Sequence, residues 1–530
     1  MKILLLFALA AVSGMDWTDA MLRLTGASCL EELEENEVEH FEHLHRNPLD
    51  LNRASRSQLT ASRLLDQFQT ACLLDYRTEY GDILSFSELA LISGFGEETS
   101  EALKAFTVLR TSDPPGQRKR KQKLHGGIMA KGSLKASVGS AVQTAYGAKA
   151  DISYGNRAEL RWSSRTTYSE PEFGVGTISG IIYGKRALGK VLGGHFAARF
   201  GQGLTQWSGF SLDGFSSIEA FRKNATGLSA TGSFSPELCG AGAEVNLGDF
   251  CISAAVSFTD GITQICNASW TGRSATIGIT SVGRGIGMDW KTSKGRLSSF
   301  GEISYRNGPA ALAGFVLKTG SSSELALQAR YLHPDFKEDW SGIALGFRRK
   351  WLTATADAAY HQAKGKRQLK CLLLISPKIG PFSPTLRANF RWRPEDADAV
   401  RMDLRGDLIW KSPAGWTAGG RYNALWCKSF AWLWYVDSGW SSPVFSSFAR
   451  FTVFCIDNWD DRIYVYERDA PGNYNSPAYY GRGFAASLVS SLKAGRAHSL
   501  HLRISYVSYP WNLEAKPAVF EAKLQYTLKL

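Results

Sequence analysis

The feature that most constrains the fold is an alternation of apolar and polar residues that continues for about 400 residues. It begins near Leu124 and is regular in the segments 385–393 (TLRANFRWR), 400–410 (VRMDLRGDLIW) and 520–530 (FEAKLQYTLKL). A period of two places apolar side chains on one surface of a β-strand and polar side chains on the other. The sequence therefore predicts a mainly β fold from residue 125 to residue 530.

A chain of many such strands could form a soluble sandwich, but sandwiches rarely run this long. We expect instead a large antiparallel transmembrane β-barrel of roughly 16–20 strands, with apolar side chains toward lipid and polar side chains toward a lumen. The polar positions of two segments would then provide lumen-facing charges. These residues are Arg387, Arg391, Arg393, Arg401 and Arg405.

The N-terminus has the order of a secretory signal peptide. Lys2 precedes an apolar run from Ile3 to Val12, and small residues follow near Gly14. We expect residues 1–14 to be removed and the protein to reach the cell outer membrane, with its N-terminal domain in the periplasm. The expected partners are outer-membrane lipid and the barrel insertion machinery, which would recognise the alternating C-terminal strand that ends at Leu530.

Charge divides the remaining chain into two parts of opposite sign. Residues 15–112 carry a net charge of −10, whereas the rest of the chain carries about +21. The boundary lies in residues 112–124, a linker with a Pro-Pro-Gly sequence and a basic run that could contact nucleic acid or membrane. The basic residues are Arg118, Lys119, Arg120, Lys121 and Lys123.

The acidic part is predicted to be helical. Residues 15–48 form an acidic helical segment, and residues 49–111 contain further helices at about 66–80, near Glu88 and at about 97–106. Ser55 and Gln58 have the spacing of a capping box that opens a helix before these. A Gly94-Phe95-Gly96 turn precedes the last helix.

The order and spacing of residues 49–111 resemble the tandem helix-hairpin-helix module of bacterial competence DNA-receptor proteins. The resemblance implies a hairpin turn at Gly94, Phe95, Gly96 and Thr99 that contacts a phosphate or a partner. Two departures weigh against phosphate: the first hairpin, SRLLDQF at 62–68, lacks glycine, and Glu97 and Glu98 follow the second turn.

The segments 199–215 and 465–483 do not have the pattern of strands, and they resemble features of outer-membrane barrels that carry an N-terminal helix-hairpin-helix module. Together with the signal peptide and the helical part, they extend this resemblance over most of the chain. That family implies no particular reaction or cargo. Our leading hypothesis is a non-enzymatic porin, transport or assembly barrel whose periplasmic module docks a protein partner or gates the lumen. The alternative is a DNA-uptake receptor that uses the hairpins and the basic linker.

A barrel hydrolase is the third possibility. It ranks last because no catalytic motif is present, and only His361, near Asp357, suggests a catalytic pair. The clustered histidines His40, His43 and His45 have no suitable fourth ligand, so we expect no metal and no cofactor. The eight cysteines contain no C-x-x-C pair, which leaves their disulfide state open.

Overall fold

The computed structural model describes residues 15–111 and 124–530, apart from positions 156, 186, 213, 235, 321 and 513. The predicted signal peptide (1–14) and the basic run of the linker, Arg118–Lys123, lie outside the described residues.

Six helices form the N-terminal domain. They are α1 (Trp17–Thr25), α2 (Glu35–Arg46), α3 (Arg56–Ala61), α4 (Gln67–Glu79), α5 (Phe86–Leu91) and α6 (Glu97–Leu103). Ser55 and Gln58 make the predicted capping box at α3, and Asp66 and Gln69 make a second one at α4. None of the described helices is long and apolar enough to cross a membrane.

Two short strands close this domain on itself. Strands β1 (Leu49–Asp50) and β2 (Thr107–Val108) pair in parallel and join the two ends of the α3–α6 region. Around them, large side chains are fully buried, and these include Leu51, Leu59, Leu65, Phe68 and Phe106. The domain therefore has an apolar core of its own.

The rest of the described chain is mainly β-structure. The strands are β3 (Leu124–Ser137), β4 (Gln143–Tyr154), β5 (Ala158–Arg165), β6 (Thr177–Tyr183), β7 (Leu188–Arg199), β8 (Gly227–Ala230), β9 (Leu238–Leu247), β10 (Phe250–Ser257), β11 (Thr263–Thr271), β12 (Ala275–Val282), β13 (Gly285–Lys294), β14 (Leu297–Tyr305), β15 (Pro309–Gly320), β16 (Ser323–Leu332), β17 (Trp340–Arg349), β18 (Leu352–His361), β19 (Lys366–Ile375), β20 (Phe382–Trp392), β21 (Val400–Lys411), β22 (Trp416–Trp426), β23 (Phe430–Ser441), β24 (Phe445–Ile456), β25 (Ile463–Tyr464), β26 (Ala478–Tyr479), β27 (Gly481–Ala494), β28 (His498–Ser508) and β29 (Val519–Lys529).

These strands form a closed antiparallel barrel, which confirms the predicted fold class. The last strand, β29, pairs with the first barrel strand, β3, from Val519 opposite Ser137 to Lys529 opposite Gly127. The barrel has 24 strands, because β8 pairs only with the end of β7 and β25 and β26 pair only with each other. The expected number of 16–20 is too low, since each strand and its connection use only about 17 residues.

The two ends of the barrel differ in their connections. At one end, where β3 begins and β29 finishes, the connections have two to six residues, and we call this the short-turn end. The opposite, long-loop end carries the connections 200–237 and 457–480. The barrel's two faces also differ as predicted: Ile343 and Leu345 are more than half exposed on the outside, whereas Ala344 between them is fully buried.

Candidate functional site: the filled lumen

The helical domain lies inside the barrel. Its acidic side chains form ion pairs with basic side chains of strands that stand on different sides of the ring. The pairs are Glu39–Lys149 on β4, Glu35–Arg165 on β5, Glu37–Arg199 on β7, Asp66–Lys291 on β13, Glu98–Arg348 on β17, Glu32–Arg387 on β20, Glu31–Arg405 on β21 and Glu31–Arg421 on β22. We call residues 15–111 the plug.

This position differs from the expected one, in which the domain hangs beneath the barrel. Opposite net charges on the two parts of the chain explain the difference, because each part supplies the counterions of the other. The plug enters from the short-turn end, where Asp16 pairs with Lys411 at 2.8 Å and Asp19 pairs with Lys378 at 3.3 Å.

Glu31 makes the most extensive of these contacts. One of its oxygens is 2.5 Å from Arg421 Nη1 and accepts the backbone N–H of Tyr466 at 2.9 Å, while the other is 3.0 Å from Arg405 Nη1. Burial by itself would raise the pKa of this carboxyl, but the two guanidinium groups outweigh it and hold the pKa well below its usual range. Glu31 is therefore charged and fully satisfied.

Two other plug carboxylates respond differently to burial. Glu37 lies 2.6 Å from Arg199 Nη2 and 2.7 Å from Arg63 Nη1, and these cations outweigh burial and lower its pKa to about 2. Glu39 is paired with Lys149 alone, so burial dominates and raises its pKa to about 7. Loss of the proton from Glu37 therefore stabilises the seated plug, whereas loss of the proton from Glu39 destabilises it.

The clustered histidines of the plug do not form a metal site. Burial holds the pKa of His40 well below its usual value, and its Nε2 lies 2.7 Å from the carbonyl oxygen of Ser62. Burial also lowers the pKa of His43 to about 3, while His45 Nδ1 lies 2.9 Å from the carbonyl oxygen of Ala105. Among the described residues, no three His, Cys, Asp or Glu side chains converge to hold a metal ion.

The predicted hairpin turn faces the barrel wall. Gly94 and Gly96 have positive φ angles, and the Gly94 carbonyl accepts a hydrogen bond from Gln69 Nε2 at 2.8 Å. Phe95 is buried, and Thr99 lies in the first turns of α6. Glu98, in the same helix, lies 3.1 Å from Arg348 of β17. Glu98 also pairs with Arg23 of the plug, so this carboxylate beside the turn is shared between a cation of the plug and a cation of the barrel.

The five predicted lumen arginines divide into two groups. Arg387 and Arg405 contact the plug through Glu32 and Glu31. The other three lie closer to the long-loop end. Arg393 donates to Gln368 Oε1 at 2.7 Å, Arg401 donates to the carbonyl of Asp460 at 2.8 Å, and the buried Nε of Arg391 has no hydrogen-bond partner among the described residues.

Two long connections fold into the lumen beside the plug. In the connection 200–237, the backbone N–H groups of Gln202 and Thr205 donate to Glu302 of β14 at 2.6 and 2.7 Å. In the connection 457–480, Glu467 pairs with Arg503 of β28 at 2.5 Å, and the hydroxyl of Tyr474 donates to the carbonyl of the plug's Leu30 at 2.9 Å. Their sequences indicated non-strand structure, but no local pattern indicated that they enter the lumen.

The suggested catalytic pair is not formed. Asp357 accepts two hydrogen bonds from Arg330 at 2.8 and 2.9 Å, while His361 packs edge-on against Trp340 and its Nδ1 has no partner among the described residues. The cysteines form no disulfides in the described part of the chain, where all eight are free.

No family model matches the chain, and no curated protein matches it. Among solved structures it is similar to the translocation pore of the P pilus usher PapC, with 8% identity and a TM-score of 0.41 over 77% of this chain and 99% of that one. It is also similar to OccK11 (OpdR) and OccK2 (OpdF) of Pseudomonas aeruginosa, both at 8% identity and a TM-score of 0.32. Those matches cover 77% of this chain and 95% and 98% of theirs. At these identities and scores, none of these proteins defines a function for the chain.

Proposed function

We propose that the protein is a non-enzymatic outer-membrane transport barrel whose N-terminal helical domain is a gate that closes the lumen. The observation that carries the proposal is the ring of ion pairs between plug acids and barrel cations. An apolar outer face and a polar lumen suit a membrane barrel, and in such barrels the short turns face the periplasm and the long loops face outward. The plug is then reached from the periplasm.

The plug is built to be separable from the wall. Its apolar core is supplied by its own helices, and the side chains from elsewhere that pack against it, Phe210, Leu212 and Tyr474, come from the two inward connections. Contacts with the barrel strands are instead ion pairs and hydrogen bonds, such as that from Ser57 Oγ to Glu244 at 2.6 Å. A polar interface between two folded bodies can be exchanged for water at lower cost than a shared apolar core.

A disulfide between the plug and the wall tests the gate. A Cβ on Gly189 of β7 would lie 2.5 Å from Ser57 Oγ of α3 and slightly closer to Asn246 Nδ2, so the two positions are close enough for a disulfide once the side chain of Asn246 moves aside. We expect the full chain in planar bilayers to conduct little and to open in moderate urea. The oxidised S57C/G189C variant should stay closed, and a reducing agent should restore opening.

The two single-cysteine variants are the matched controls. Ser57→Cys loses the hydrogen bond to Glu244, but neither variant can form the cross-link, so each should open equally in oxidising and reducing conditions. A large open-pore conductance without urea would contradict the gate, and so would opening that is unaffected by the disulfide. Outer-membrane location is tested separately by cell fractionation and by heat-modifiable gel mobility; a protein recovered wholly in the soluble periplasmic fraction would contradict it.

The proposal includes a periplasmic protein partner that binds or pulls the plug. Tyr80, Leu84 and Leu91 support it, because these plug side chains are 68–87% exposed although the rest of the domain buries its large apolar residues. Leu84→Asp with Leu91→Asp should leave urea-induced opening in bilayers unchanged but impair transport in cells. Unimpaired transport would remove this part of the proposal.

The DNA-receptor alternative is less well supported, because the hairpin turn faces the wall and Glu98 already has its cation in Arg348. Binding of duplex DNA by the full chain across a salt series separates the two functions. A steep salt dependence that is reduced when Arg118–Lys121 are neutralised would favour the receptor.

A further inference from the structure

A cavity of about 240 Å³ lies in the lumen near the long-loop end. It is enclosed between the inward connection 200–237 and the wall strands β15–β19, and none of its described lining residues belongs to the plug. Lys337 and Asp339, in the connection between β16 and β17, form part of its rim, and their side chains are 66% and 41% exposed. A solute therefore reaches the cavity from the long-loop end while the plug remains in place.

The carboxylates that line the cavity are already neutralised by cations of the barrel. Asp357 accepts two hydrogen bonds from Arg330, at 2.8 and 2.9 Å, and Asp339 lies 2.9 Å from Lys337. Lys370 also has a partner. These groups shape the cavity, but their charges are taken up within the protein.

Lys223, in the inward connection, forms no ion pair with a described residue. Its Nζ lies 4.7 Å from the centre of the Trp207 ring, and a Cβ on Gly203, which also lines the cavity, would lie 3.0 Å from it. Burial lowers the pKa of this ammonium group to about 8, so the group is mostly charged at pH 7. A buried cation without a counterion favours a negative charge on the solute that enters the cavity.

Three glutamine side chains of the lining each use one polar atom within the protein. Gln202 Oε1 accepts a backbone N–H of the inward connection at 3.0 Å, and Gln328 Nε2 donates to the carbonyl of Phe221 at 2.5 Å. Gln368 Oε1 accepts from Arg393 Nε at 2.7 Å. The second polar atom of each amide has no partner among the described residues, and none of the three is sealed from open space. Amide donors and acceptors held in fixed positions match hydroxyl groups, which both donate and accept hydrogen bonds.

The rest of the lining adds apolar surface and sets the size of the ligand. Phe215, Phe336 and Trp340 contribute aromatic side chains, which suit the C–H faces of a sugar ring, while a few polar groups fix its orientation. Drug-sized ligands occupy cavities of about 300–1,000 Å³. A cavity of about 240 Å³ therefore fits one sugar unit better than a chain of them.

We propose that this cavity binds a single sugar unit that carries one carboxylate, such as a hexuronate. Lys223 pairs with the carboxylate, and the open amide atoms of Gln202, Gln328 and Gln368 bind the ring hydroxyls. As the class of solute that the barrel transports, this assignment rests on the proposed gate function; as a binding site, it does not.

Calorimetric titration of the detergent-solubilised full chain with glucuronate, glucose and acetate tests the site. We expect saturable binding of glucuronate, and binding of glucose and of acetate that is about tenfold or more weaker, because each lacks one half of the recognised chemistry. Lys223→Gln should reduce the affinity for glucuronate to that for glucose and leave the affinity for glucose unchanged. A merely structural role of Lys223 would lower both affinities.

Lys516→Gln is the matched control. Lys516 also lies in a connection at the long-loop end, its Nζ is 4.0 Å from the centre of the Tyr509 ring, and it forms no ion pair with a described residue. It does not line the cavity, so this variant should bind glucuronate like the unmodified chain.

Absence of saturable glucuronate binding would overturn the site, as would equal affinities for glucuronate and glucose or equal weakening by the two substitutions. Heat-modifiable mobility establishes that each variant is folded. The titration is repeated on oxidised S57C/G189C protein, in which the plug cannot leave. Retained binding there supports a site that is independent of the gate, so that failure of either proposal is seen without the other; loss of binding in the locked protein would overturn the proposed position outside the plug.

Discussion

At the scale of single residues, Glu31 is the side chain on which plug seating depends most. Glu31→Gln removes one of the two carboxylates that Arg405 and Arg421 share, while Asp407 stays 2.6 Å from both guanidinium groups. The cost is therefore smaller than the roughly 3–5 kcal/mol of a buried pair that is broken completely, but larger than that of an exposed pair. We expect faster hydrogen–deuterium exchange throughout residues 15–111. Glu101→Gln is the control, since its pair with Lys104 is on the surface and contributes less than about 1 kcal/mol. Equal exchange in both variants would contradict this role of Glu31.

Glu37 and Glu39 predict an optimum in the pH dependence of plug stability. The pKa of Glu37 falls from 4.5 to about 2 on folding, so its contribution is complete above pH 4.5 and is lost as the pH falls toward 2. That shift corresponds to about 3 kcal/mol. The pKa of Glu39 rises to about 7, so its protonation stabilises the plug as the pH falls from 7 to 4.5.

Burial also lowers the pKa of His40 and His43, so both histidines destabilise the plug as the pH falls below 6.5, and together they outweigh the gain from Glu39. The urea concentration at which the plug becomes protease-sensitive should therefore be highest near pH 6.5–7 and should fall on the acidic side. Glu37→Gln should make the decline below pH 4.5 shallower, because only the histidine contribution remains there, and Glu39→Gln should make the decline between pH 7 and 4.5 steeper. A profile that is unchanged in both variants would show that these carboxylates do not control seating.

At the scale of elements, Asp66 has two separable tasks. One oxygen caps α4 by accepting the N–H of Gln69 at 2.7 Å, and the other pairs with the barrel's Lys291. Asn is as good an N-cap as Asp, so Asp66→Asn should keep the helix and lose only the ion pair. We expect circular dichroism of the helices to be unchanged and urea-induced opening to occur at a lower concentration.

Ser55→Ala provides the comparison for Asp66→Asn. Ser55 caps α3 and has no partner on a barrel strand among the described contacts, so its loss should cost about 1 kcal/mol of plug stability and leave the wall contacts intact. If Asp66→Asn lowers the opening concentration no more than Ser55→Ala does, the pair with Lys291 does not hold the plug.

The elements themselves were largely predictable, because their signals are local. The capping box at Ser55 and the alternation in 385–393 depend on residues within one turn or one strand, and both predictions are confirmed. The strand number was underestimated, because turns as short as Lys350–Trp351 leave few residues that mark a boundary. The number of residues assumed for one strand with its connection, taken from porin-like chains, was therefore too large, and the strand number came out too small.

At the scale of the whole molecule, the charge division was visible in the sequence, but its meaning was not. Glu31 and Arg421 are separated by 390 residues, and no local pattern states that they meet. A net charge of −10 on the N-terminal part and of about +21 on the rest of the chain is equally compatible with a plug and with an acidic domain that binds another protein. Only the closed ring of strands shows that the two charges share one enclosed space.

That enclosure predicts how the gate responds to salt. Exposed ion pairs are screened at 1 M salt, where the Debye length is about 3 Å, but buried pairs are screened much less. Because Arg421 and Glu31 are both less than 10% exposed, we expect 1 M NaCl to leave the pore closed after correction for bulk conductivity. Urea, which solvates peptide and apolar groups, should open it by releasing the plug from the wall. Opening by salt alone, at a urea concentration of zero, would mean that the ring of pairs is accessible to water and that the plug is held by surface electrostatics.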